Sequence, residues 1–176
     1  MKRRQFIKTG LITSSLPFAG SLLWANSLNQ KTKKGAPFNL LYAPHFGMFT
    51  HHSGKDLIDQ IQFMYDQGFR ALEDNRMKDR PLSDQERIAT KMNQLDMTMG
   101  VFVAHKIYWN KPNLANGDKD LQNEFVDHIR ESVEVAKRVN AKWMTVVPGH
   151  VDLGQEMGYQ TANVVEALRR SSAILE

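Results

Sequence analysis

From residue 38 onward, short apolar runs alternate with longer stretches in which apolar residues recur every three or four positions. Phe38-Asn39-Leu40-Leu41-Tyr42-Ala43 predicts a first strand, ended by Pro44. Lys55 to Gln67 carries Leu57, Ile58, Ile61, Met64 and Tyr65 at helical spacing, with Ser53 or Gly54 before it and Gly68 just past its end. Phe69 to Asp74 predicts a second strand. Ser83-Asp84-Gln85-Glu86 then has the form of a capping box, opening a helix that buries Ile88, Met92 and Leu95. Thr98 to Ala104 is almost continuously apolar, as in a strand covered on both faces. From Asp118 to Asn140, Leu121, Phe125, Ile129, Val133, Ala136 and Val139 fall on one helical stripe. Trp143 to Val147 predicts a fourth strand, stopped by Pro148-Gly149, and Thr161 to Glu176 a last helix.

Strand followed by helix, four times over, predicts an α/β domain with a parallel sheet and helices packed outside it. A closed eightfold barrel needs about 250 residues. The segment 38–176 is shorter, so the expectation is about four βα units, the N-terminal half of a TIM (β/α)8 barrel. No Gly-x-Gly-x-x-Gly follows the first strand and no glycine-rich loop ends in Lys-Ser/Thr, which argues against a nucleotide-binding sheet. The last helix reaches Glu176 without a glycine cap, so the chain reads as truncated or as a half-barrel in need of a partner. An unpaired edge at the fourth strand would favour association, a homo-oligomer included.

The N-terminus changes the picture. Lys2-Arg3-Arg4-Gln5-Phe6-Ile7-Lys8 is a basic segment, and Gly10 to Trp24 is a mildly apolar one diluted by Thr13, Ser14, Ser15, Pro17, Gly20 and Ser21. A membrane span needs about 20 predominantly apolar residues, so no stable membrane anchor is expected. Adjacent arginines followed by Phe, Ile and Lys resemble the twin-arginine export signal. The reading is a signal peptide at 1–25 with cleavage after Ala25, a polar linker at 26–37 and a periplasmic mature domain at 38–176.

Charge follows from this. The chain has 23 basic and 19 acidic residues, a formal charge of +4. Lys2, Arg3, Arg4 and Lys8 account for the whole excess, so the mature part is neutral and nucleic acid is not an expected partner. The absence of cysteine excludes disulfides, thiolate metal sites, a cysteine nucleophile and a lipoprotein anchor.

Ligands of parallel α/β folds sit beyond the strand C-termini. Five ionisable residues fall there: His45, Glu73, Asp74, His105 and His150. Glu73, with His105 and His150 and less directly His45, forms the candidate substrate-binding set. A carboxylate in such a mouth needs a cation, a metal or hydrogen bonds to stay ionised. No pair has helical metal-ligand spacing such as His-Glu-x-x-His, so no metal ligand is assigned in this chain. Phe46, Met48, Phe49, Tyr108 and Trp109 are candidates for apolar walls, and His128 is expected mid-helix on the solvated side.

With these residues in view, the domain resembles the hydroxypyruvate isomerase group of the xylose isomerase-like sugar phosphate isomerase/epimerase barrels. The resemblance is carried by 38–44, by Gly68-Phe69-Arg70-Ala71-Leu72-Glu73-Asp74-Asn75 with Arg80-Pro81, by Gly100-Val101-Phe102-Val103-Ala104-His105 and by Val146-Val147-Pro148-Gly149-His150. It implies a divalent metal (Mg, Mn or Zn) on carboxylate-rich ligands. It also implies proton transfer between adjacent carbons of a small sugar or keto-acid through an enediol. In that family the metal ligands and the proton-moving glutamates come from later strands, so no catalytic residue is assigned here and the fragment is expected to be inactive alone. The alternative is a non-catalytic periplasmic carbohydrate-binding protein on the same scaffold. A metal-dependent nuclease of the same superfamily is disfavoured by the neutral mature charge.

Overall fold

A computed structural model of the chain describes residues 35–176. The predicted signal peptide, and the linker up to residue 34, lie outside the described residues. Helices dominate: α1 (Thr50–Ser53), α2 (Leu57–Asp66), α3 (Leu82–Gln94), α4 (Lys119–Val139) and α5 (Met157–Leu175), with a 3-10 turn at Met77–Asp79. One parallel sheet joins β1 (Ala71–Leu72) to β2 (Thr98–Met99), in the register Ala71 with Thr98 and Leu72 with Met99. Two isolated parallel bridges, His45 with Glu73 and Val103 with Thr145, link the neighbouring extended segments.

The helices start where local chemistry allows. Asp56 and Asp118 cap α2 and α4, each carboxylate accepting the N–H groups two and three residues on. The N–H of Ile58, then Arg87, hold the Asp56 carboxyl below its usual range. Asn140 ends α4 in the left-handed conformation at φ 53°. The capping box at Ser83 does not form. Helix α3 begins one residue earlier, after Pro81, with no side-chain cap. The proline ring fixes φ near its helical value at the entry, so Ser83 falls inside the first turn. Helix α5 begins four residues ahead of its expected start.

The predicted half of a TIM barrel is overturned. Among the described residues there is one two-stranded sheet, not four βα strands. The physical reason lies in how few ladder bonds each segment makes. The first segment is bonded to the second only at its start, where the Phe38 N–H donates to Gly68 O at 3.2 Å, and just past its end, where the Glu73 N–H donates to Pro44 O at 3.2 Å and Pro44 itself has no N–H to return. Upstream of it the chain folds back locally, Tyr42 N–H on Leu40 O, leaving Leu40, Leu41 and Tyr42 exposed. The fourth segment pairs through Thr145 alone, whose N–H bonds Phe102 O at 2.8 Å and whose carbonyl takes the Ala104 N–H at 3.0 Å. The apolar run 98–104 is buried chiefly by helices, with Met99, Phe102 and Ala104 almost inaccessible.

Two apolar clusters make the core. Ile61, Met64, Leu72, Ile88, Met92 and Phe102 centre one, between α2, α3 and the sheet. Leu114, Phe125, Val126, Ile129 and Ala167 form the other, between α4 and α5. Each of the four long helices also buries one glutamine, and three of these tie down irregular backbone while Gln122 bonds helix α5. Gln60 accepts the Gly47 N–H at 2.7 Å, Gln85 donates to Arg80 O at 2.9 Å, Gln122 donates to Asn163 O and Gln160 bonds Asp152 on both its N–H and its carbonyl. These amides satisfy backbone groups that burial would otherwise leave without water.

Candidate functional site

Glu73 and His45 come together. The bridge between their segments sets the two side chains side by side, with His45 Nε2 3.2 Å from Glu73 Oε1. Their side chains are 44% and 29% exposed, so the pair is supported by protein yet open to solvent. A Cβ at Gly100 would contact the Cβ atoms of both Glu73 and Ala43, and its absence keeps this corner open. Next door, Asp74 is buried and bonded to Arg80 and to the Arg76 N–H, while the Arg80 guanidinium lies over the Phe46 ring. Asp74 and Phe46 thus anchor the loop that carries Glu73, and this carboxylate is structural.

His105 is buried, and both its ring nitrogens are engaged. Nδ1–H donates to Lys106 O at 2.9 Å, and Nε2 accepts the Val147 N–H at 3.0 Å. That fixes the neutral tautomer and pins the third extended segment to the fourth. Its edge-to-face contact with Phe125 seats it on α4. Burial lowers its pKa below the ordinary 6.5, and the nearby charges of His128 and Lys78 lower it further. His150 is exposed and bonds the adjacent Val151 carbonyl through Nδ1.

His105 backs a cavity of about 600 Å³. Its polar wall is Asn75, Lys78, Asp79, Lys106 and His128, and its apolar wall includes Val103 and Val147, with the exposed Trp109 among the lining residues. Glu73, His45 and His150 do not line it. The structure therefore joins Glu73 to His45, gives His105 a bracing role beside a cavity, and leaves His150 apart. Lys78, Lys106 and His128 are cavity residues that sequence pattern did not single out. His128 sits three residues after the core residue Phe125, at the border of the buried stripe, and that border position was the available signal.

Among the described residues, no three His, Asp or Glu side chains come together in a way that could hold a metal ion. Compared with known proteins, the chain matches no family model and no curated protein at a significant level.

Proposed function

We propose that this chain supplies substrate-binding residues to a sugar or hydroxy-keto-acid isomerase or epimerase exported to the periplasm. The observation that carries the reading is the half-open pair of Glu73 and His45, at the ends of adjacent parallel segments. The carboxylate accepts from one substrate hydroxyl while the imidazole N–H beside it donates to a neighbouring oxygen, which is how a polyhydroxy compound is held by its edge. The reaction class is transfer of a proton from the carbon beside a carbonyl to the adjacent carbon. No step is assigned to a metal.

The test is calorimetric titration of the full chain with hydroxypyruvate and with aldoses and ketoses of three to six carbons, with NMR of the same mixtures in D2O. Binding that weakens roughly tenfold to a hundredfold in Glu73→Gln, as for loss of a charged hydrogen bond, supports the proposal. Unchanged affinity in Glu73→Gln and His45→Asn sinks it. Exchange of carbon-bound hydrogen would exclude the second reading, a carbohydrate-binding protein, for which the exposed Trp109 offers a stacking face.

A further inference from the structure

The cavity beside His105 has a charge pattern that the Glu73–His45 pair does not explain. Lys78 and Lys106 line it, but their carboxylate partners, Glu131 and Glu124, do not. Lys78 Nζ lies 2.7 Å from Glu131 Oε2, and Lys106 Nζ lies 3.7 Å from Glu124 Oε1. Lys106 also stands over the Tyr108 ring at 4.6 Å. In the first pair the carboxylate faces solvent, the Glu131 side chain being 64% exposed against 15% for Lys78; in the second the ammonium does, Lys106 being 59% exposed against 35% for Glu124, which also accepts the Tyr108 hydroxyl. Pairs of this kind are weak and exchangeable.

His128 adds a third donor. Its Nδ1 accepts the Lys106 N–H at 3.2 Å, so its neutral form carries the proton on Nε2. Against these donors the lining holds one acid, Asp79. The drop in the His105 pKa has Lys78 and His128 among its causes, so their charge is felt at the cavity's back wall. A bare ion would leave much of about 600 Å³ empty, whereas cavities of that size enclose small organic molecules. Val103, Val147 and Trp109 give the uncharged part of such a molecule apolar surface to lie on.

We propose that this cavity binds the oxyanion of a small organic phosphate or carboxylate, held by Lys78, Lys106 and His128. The oxyanion takes the place of Glu131 and Glu124 on the two ammonium groups. The site stands independently of the Glu73–His45 reading, since it shares no residue with that pair.

The test is titration of the full chain at constant ionic strength with inorganic phosphate, with gluconate and with glucose as the uncharged control. One or both anions should bind and glucose should not; whichever binds more tightly identifies the oxyanion. Lys78→Gln should weaken the anion about tenfold, through loss of one charge-assisted bond. Glu131→Gln removes the competing carboxylate and should tighten binding a few-fold. The proposal is overturned by failure of both anions to bind, by equal binding of glucose, or by unchanged affinity in Lys78→Gln. Should Lys78→Gln not fold, Glu131→Gln decides: affinity equal to or weaker than that of the unaltered chain overturns the site.

Discussion

At the scale of the residue, His105 shows how burial turns a candidate ligand into a brace. Its imidazole is neutral because a proton on Nε2 would displace the Val147 N–H that it accepts, and because burial disfavours the charge. The sign of the pH dependence follows. Below its ordinary pKa of 6.5 the unfolded chain takes up a proton that the folded chain resists. This stabilisation is full above 6.5 and is lost as pH falls toward the lower folded pKa. The melting temperature should therefore drop between about pH 7 and pH 5, and less so in His105→Gln; equal slopes in both chains would contradict this. Gly149 is a second residue whose meaning is steric. It holds φ at +90°, and a Cβ there would overlap the buried Asn113 Oδ1, which has no hydrogen-bond partner among the described residues. Sequence alone showed Pro148-Gly149 as a stop; the close approach to Asn113 appears only when the two loops meet.

At the scale of the element, helices were legible, while only two of the four expected strands form, each cut to two residues. The stripe over 118–140 became α4, with Phe125, Ile129 and Val139 buried as the period required. Its start is set by Asp118, whose carboxylate accepts the Asp120 N–H at 2.9 Å and the Leu121 N–H at 3.1 Å. Asp118→Ala should cost about 1 kcal/mol of stability, measured by urea denaturation, while Asp118→Ser should cost less; no difference between Asp118→Ala and the unaltered chain would mean that the helix end is held by packing alone. Strands need a partner at every rung, and that information is not local. The runs 38–43 and 143–147 have strand composition, but the first is bonded to its neighbour only at Phe38 and just past its end, and the second pairs backbone to backbone only at Thr145, so neither builds a ladder. Helix α5 is the reverse case. Its Val165, Leu168 and Leu175 stay exposed, and it buries Gln160, Ala167 and Ser171 instead, because its contact with α4 falls on the small-residue face.

At the scale of the whole molecule, the pairings that do form run in sequence order and in one direction: first segment to second, second to third, third to fourth. Apolar side chains are left outward at both ends of this series, Leu40, Leu41 and Tyr42 at one and Trp143 at the other. The proposed export is also tested on the whole chain. Arg3→Lys with Arg4→Lys should leave the protein in the cytoplasm, read by cell fractionation; undiminished export of the doubly substituted chain would remove the periplasmic assignment. Hydrophobic period by itself determined the four long helices and most of their buried faces, because a helix closes its own hydrogen bonds and declares its core side every three to four residues. Aspartate and glycine at the ends added several of the boundaries. Tertiary structure alone decided that the extended runs stop short of a barrel, that Glu73 meets His45 while His105 is spent on bracing, and that Lys78, Lys106 and His128 share a cavity. Those outcomes depend on contacts between residues twenty to fifty positions apart, and no local pattern of polar and apolar side chains encodes such distances.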